Sequence, residues 1–173
     1  MTNDTFSDVA DPRHASTIRV AVVRDAPALA RMRYVFRCEL GTPAEAEAAF
    51  VARCTDWMLK RLGDEDSRWL CWVAEEGGVI VGNLWLQRLE KLPNPVAEPE
   101  EHAYVTNVYV VPEWRDAGVG ALLLEAALAW CRRSDVDAVL LWPSARSRRF
   151  YERYGFSARD DLFALRPVGA ESA

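Results

Sequence analysis

At 173 residues, half of them apolar and seven of them tryptophan, the chain is large enough for one domain with a sizeable core, which excludes general disorder. A net charge of −5 excludes general nucleic-acid binding, which needs a basic surface, and suits a cationic or amine substrate. Cys38, Cys54, Cys71 and Cys131 form no Cys-x-x-Cys pair, and His14 and His102 are too scattered for a zinc site. The cysteines read as small buried hydrophobes, no metal is expected, and no apolar run is long enough to span a bilayer, so the reading is a cytoplasmic protein without membrane partners.

Residues 1–16 are polar, lack an apolar central run, and read as a disordered tail rather than a signal peptide; 17–173 reads as a single domain. A short strand is predicted over 17–23. Asp25 is placed to cap the helix that follows, with Pro27 in its first turn and an apolar face of Leu29, Met32, Val35, Phe36 and Leu40. Gly41-Thr42-Pro43 breaks it, and Thr42 with Glu45 suggests a capping box for a second helix to about Leu62. Strands over 68–74 and 79–89 flank Glu75-Glu76-Gly77-Gly78, a hairpin signal. The proline-containing loop over 89–101 gathers Glu90, Glu98, Glu100 and Glu101. That cluster reads either as a solvated loop or as a patch that recruits or deprotonates an amine.

The stretch from Ala103 to Trp130 is the centre of the chain. A β-branched and aromatic strand over 103–111 is stopped by Pro112, a loop closes in Gly118-Val119-Gly120, and a helix begins with Val119, Leu122, Leu123, Ala126 and Ala127 at helical spacing. Glycines let a ligand lie against the backbone, and the first amides of a helix are unpaired at its positive end, so this turn suits an anion such as a pyrophosphate. Arg115 adds a forked cation just upstream. The strand also slips in phase: Val105 and Val108 are three apart, Val108 and Val110 two apart. Burying all three requires an inserted residue, hence a bulge near Thr106–Asn107 that would open a gap beside the strand. The alternative is that Val105 and Val108 face opposite layers.

A near-continuous apolar strand over 136–142 is ended by Pro143, and Ser144 is placed to cap a helix over 145–154. Ser147, Phe150, Tyr151 and Tyr154 share one face of that helix, Gly155 ends it, and 156–167 supplies the last strands. The element order predicts a mixed α/β sheet with helices on both faces.

Val110-Val-Pro-Glu-Trp-Arg115-Asp-Ala-Gly118-Val-Gly120 resembles the acyl-CoA-binding motif of the GNAT superfamily of N-acetyltransferases, and Phe150-Tyr151-Glu152-Arg153-Tyr154-Gly155-Phe156 resembles that family's closing motif. The resemblance spans about 17–167. It implies a mostly antiparallel sheet flanked by helices, and acetyl transfer from acetyl-CoA to a primary amine, most simply a small molecule. It also implies a possible homodimer. On this resemblance the backbone of Tyr109, Val110 and Val111 would hold the pantetheine arm, and Arg115, Asp116, Ala117, Gly118, Val119 and Gly120 the pyrophosphate. Ser144, Ser147 and Phe150 would line the cofactor, and Tyr151 would protonate the leaving thiolate. The first two helices would wall the acceptor pocket with Arg33, Phe36, Arg37 and Trp57, joined by Asn107 and Glu90.

The chain also departs from the family pattern. Some relatives place a glutamate base where Tyr104 stands here, which leaves Glu90 or Glu101 through water as the proton acceptor. Ser144 and Ser147 replace an Asn and an Ala common in relatives, and Asp116 with Ala117 replaces a phosphate contact that Arg146, Arg148 or Arg149 would have to restore. The missing base keeps a second reading open, a catalytically silent acyl-CoA-binding module; a peptide α-amine is the alternative acceptor.

Overall fold

The computed structural model describes residues 16–165 and divides them into two compact units, one ending at Leu141 and the other beginning at Trp142. The expected tail, apart from Ser16, lies outside the described residues. In the first unit, β1 (Thr17–Val20), β2 (Trp69–Glu76), β3 (Val79–Glu90), β4 (Glu101–Val110) and β5 (Ala138–Leu140) lie side by side in that order. The first four pair antiparallel and β5 runs parallel to β4. The β2–β3 hairpin forms because Gly77 and Gly78 both adopt left-handed backbone (φ 54° and 80°), which the tight turn between right-twisted strands requires.

Alternation along the strands gives the sheet two apolar faces, and each is covered. Helices α1 (Ala26–Cys38) and α2 (Glu47–Leu62) bring Leu29, Ala30 and Met58 against Cys71, Val73 and Trp85 on one face. Helix α3 (Val119–Arg133) buries Leu123 and Leu124 on the other, where Trp130 meets Trp72 edge to face at 6.3 Å. Gly82 marks the closest approach of α3: a Cβ there would sit 3.2 Å from the Leu123 and Val119 side chains and from the Tyr109 carbonyl. Gly82→Ala is therefore expected to cost about 1–3 kcal/mol by overpacking, read as a lowered denaturation midpoint at unchanged slope.

Several local expectations yield to longer-range contacts. Asp25 makes no capping bond to α1; its carboxylate, buried, accepts two N–H groups of Arg19 (2.7 and 3.1 Å) and the Val22 amide (2.8 Å). Burial alone would raise that carboxyl, but the Arg19 and Val22 bonds outweigh it and hold it below the usual range. Thr42 and Glu45 form no capping box, because α2 starts only at Glu47 and Glu45 pairs with Arg53. Val35 and Leu40 are exposed rather than packed.

In the second unit the helix is shorter than its pattern suggested, α4 (Arg148–Glu152), with Ser144–Ser147 drawn into a turn by their paired hydroxyls (2.9 Å). Gly155, at φ 85°, ends it as expected, with the Phe156 amide reaching the Tyr151 carbonyl (3.2 Å) and the Gly155 amide that of Glu152 (3.0 Å). The strand predicted over 136–142 is only Ala138–Leu140, and 156–165 forms no strand; 166 and 167 lie outside the described residues.

Candidate active site

The centre of the site is the far half of β4. Trp85 pairs with Thr106 and Asn83 with Tyr109, so Leu84 faces two residues, Asn107 and Val108. This is the predicted bulge, and Asn107 carries it at φ 50°, a left-handed conformation that asparagine tolerates. The phase change keeps Tyr104 and Thr106 facing α1 and α2 before the bulge and Tyr109 facing them after it; the Tyr109 ring packs on Phe36 at 5.3 Å. By alternation Val105, Val108 and Val110 then all turn to the α3 side.

Pairing between β4 and β5 ends at Tyr104 opposite Leu140, so the β5-side edge of 105–110 has no strand partner among the described residues. Which backbone groups face that edge follows from one bond. The Val111 amide donates to the Val81 carbonyl (3.0 Å), so Val111 and, two residues back, Tyr109 direct their polar backbone toward β3. Val110 and Val108 face the open edge. Of the three residues expected to hold a pantetheine arm, only Val110 presents its amide there, and its carbonyl already accepts the Arg115 Nε–H (2.9 Å).

The turn into α3 is built for an anion. Its first main-chain bond joins the Leu122 amide to the Gly118 carbonyl (3.1 Å), which leaves the amides of Val119, Gly120 and Ala121 without helical partners. Asp116 (φ 62°) and Gly118 (φ 81°) both adopt left-handed backbone, so successive amides curl into a concave turn. No acidic side chain occupies the first turn of α3 to neutralise its positive end. A diphosphate fits these donors. The Arg115 guanidinium donates to Glu39 (2.6 Å), which also accepts the Tyr109 hydroxyl (3.2 Å). It ties the loop to α1 and to the end of β4.

Beside the bulge, on the α1–α2 side of the sheet, lies a cavity of about 320 Å³. Trp57, Trp69 and Trp85 form its apolar wall, their rings 5.0 to 6.3 Å apart in tilted and edge-to-face contacts. Tyr104, Thr106 and Asn107 contribute from β4, Arg33 from α1 and Arg53 from α2. Cys54 also lines it, and burial, opposed by Arg33 and Arg53, pushes its thiol up; it is protonated at neutral pH and is a poor nucleophile. Among the described residues neither a carboxylate nor a histidine lines the cavity.

The expected acceptor residues therefore separate. Arg33, Trp57 and Asn107 reach the cavity, whereas Phe36 packs on Tyr109 one helical turn away and Arg37 is exposed. Glu90 does not reach it. It follows Trp85 by an odd number of residues on a regular strand, so it shares the opposite face with Arg88, which lies 6.0 Å over the α3 residue Trp130. There Glu90 accepts Arg68 (2.7 Å) and Glu101 accepts Arg88 (2.7 Å). Sequence reasoning missed Phe50, Arg53, Cys54 and Met58, although with Trp57 they repeat at the i, i+3, i+4, i+7, i+8 spacing of one helix face. Trp69 and Trp85 carried no signal beyond their type, since strand alternation does not say which face is hollow.

In the C-terminal unit Tyr151 is 9% exposed, its ring 5.0 Å from that of Phe150 and 5.7 Å from that of Phe156, and burial pushes its phenol up to about 12. Ser147 stands at the start of α4, its amide 3.3 Å from the Ser144 hydroxyl.

A mixed α/β sheet opened beside a bulged strand, a glycine turn whose first helix amides lack helical partners, and a cavity on the α1–α2 side of the bulge lie together in the first unit. Residues 31–156 match the Acetyltransferase (GNAT) family, and the chain belongs to that family. It is 27% identical to a GCN5-related N-acetyltransferase from Ralstonia eutropha, with a TM-score of 0.72, covering 87% of this chain and 98% of that one. A predicted acetyltransferase from Clostridium acetobutylicum, solved with acetyl-CoA, shares the fold at 20% identity (TM-score 0.72; 87% and 96% covered). Among curated proteins, an uncharacterised N-acetyltransferase from Methanocaldococcus jannaschii is 28% identical over 109 residues, 60% of this chain. The match spans 44% of that relative's length.

Proposed function

We propose that the protein transfers an acetyl group from acetyl-CoA to the primary amine of a small molecule by direct attack. The observation that carries this reading is the pairing of two features on one strand: the opened edge of β4 with its free Val110 amide, and the donor turn at 116–121 that follows. The amides of Gly118, Val119 and Gly120 would hold the diphosphate, and the Val110 amide would donate to the thioester oxygen as charge develops on it. Acetyl-CoA supplies the activated acyl group. The amine nitrogen bonds to the acyl carbon, the carbon–sulfur bond breaks, the amine loses a proton and the thiolate gains one.

Among the described residues no carboxylate or histidine lines the cavity, so the amine would arrive neutral or lose its proton to water. An alkylammonium of pKa about 10.4 is neutral in roughly one molecule in 2,500 at pH 7, and a peptide α-amine of pKa about 8 in roughly one in ten. The missing glutamate therefore favours amines of lower basicity. Tyr151, from the closing motif of the family, is our choice for the group that donates to the departing sulfur.

Calorimetric titration with acetyl-CoA and release of free thiol across an amine panel test the proposal together. We expect saturable binding and amine-dependent thiol release; absence of any coenzyme A uptake overturns the reading. Binding without thiol release from any amine would make the chain an acyl-CoA-binding module instead.

A further inference from the structure

Among the described residues, the cavity lined by the three tryptophans carries positive charge and no negative charge. Arg33 reaches it from α1, half-buried, and its side-chain hydrogen bond goes to the neutral Oδ1 of Asn107 (2.9 Å). Among the described residues no carboxylate pairs with it, whereas Arg53 on the same cavity pairs with Glu45. Asn107 is itself fixed, because its Nδ2 donates to Asn83 Oδ1 (2.8 Å) and Asn83 is fully buried. That chain holds Arg33 in place at the bulge. A guanidinium drawn out of water without a counter-ion is costly, and burial, reinforced by Arg37, pulls its proton affinity down. An arrangement that maintains such a cation beside an aromatic wall is complementary to an anionic group on an apolar body. The Trp85 indole N–H, with Trp85 2% exposed, also has no partner among the described residues.

We infer that the acceptor is an aromatic amino acid, its carboxylate paired with Arg33, its ring against Trp57, Trp69 and Trp85, and its amine left at the bulge beside Asn107. Guanidinium and carboxylate match as a two-pronged pair, and aromatic rings gain from offset and edge contacts beyond their buried area. The same charges disfavour polyamines and other polycations. This inference rests on the acetyltransferase reading for the chemistry at the amine, but not for the recognition itself.

Titration of the full chain, saturated with coenzyme A, separates the two. L-Phenylalanine and L-tryptophan are compared with phenethylamine and tryptamine, which lack only the carboxylate, and with spermidine. The acids should bind roughly tenfold or more tightly than their decarboxylated partners, the range for a hydrogen bond to a charged group, and spermidine more weakly still. Arg33→Gln should erase the difference between acid and amine, and Arg33→Lys should keep part of it. Equal affinities, no binding of either acid, or a preference that survives Arg33→Gln overturns the inference. Because binding is read without turnover, acids that bind yet release no thiol from acetyl-CoA would count against the transferase reading and leave this recognition site standing.

Discussion

Gly120→Asp should remove acetyl-CoA binding while leaving the fold as stable as before or more so. The two effects separate because they act on different partners of the same helix end. A carboxylate in the first turn of α3 meets the positive end of the helix, worth about 0.3–1 kcal/mol in favour of the folded chain, and replacing a helical glycine adds a similar gain. Toward a bound diphosphate the same carboxylate is a like charge set among the donor amides, and such juxtapositions cost several kcal/mol, so binding should weaken by roughly a hundredfold or more. The measurement is a calorimetric titration paired with a thermal melt. Normal affinity for acetyl-CoA in a folded Gly120→Asp protein would refute the placement of the diphosphate at this turn. A lowered melting temperature would instead indicate that Gly120 is needed for packing.

Tyr151→Phe should reduce kcat by about 10² to 10⁴, the usual range for a positioned proton donor, with acetyl-CoA affinity changed no more than about twofold. The buried phenol decides what kind of donor it is. At about 12 it stays protonated across the neutral range. It is also a weaker acid than an ordinary thiol of pKa about 8.5, so complete transfer to a free thiolate is uphill by about 3.5 pH units, or about 5 kcal/mol. Tyr151 should therefore act first as a hydrogen-bond donor to sulfur as charge builds, the proton finally reaching the thiolate from solvent or as part of bond cleavage. The pH profile tests the same point. Because the group loses its proton only near 12, kcat should show no falling limb between pH 7 and 10. A fall centred near 10, or an unchanged kcat in the phenylalanine variant, would remove Tyr151 from the reaction.

The donor turn before α3 and the tryptophan-lined cavity differ in how far they could be read from the chain. Arg115 shows the boundary well. Its position in the motif correctly placed it at the loop, but its side chain is engaged by Glu39, which lies 76 residues away. Likewise Glu90, expected with Glu101 to take the amine's proton through water, sits on the wrong face of β3 and is held by Arg68, 22 residues away. The cavity itself draws on α1, α2, β2, β3 and β4, and no local pattern in any of them marks a hollow.

What the amino-acid sequence determined by itself was whatever depends on neighbours a few residues apart: the Gly77-Gly78 turn, the glycine turn that opens α3, and Gly155 as the stop after α4. These follow from backbone freedom and side-chain periodicity, which short stretches carry. The tertiary structure alone decided between a bulge and a two-faced strand at Val105, Val108 and Val110, that Asp25 answers Arg19 instead of capping α1, that Val110 rather than Tyr109 or Val111 offers its amide, and that among the described residues Arg33 stands without a carboxylate beside three tryptophans. Charge pairing and the direction of a strand's unpaired backbone depend on which distant segments come to lie alongside, and that is settled by packing of the whole sheet.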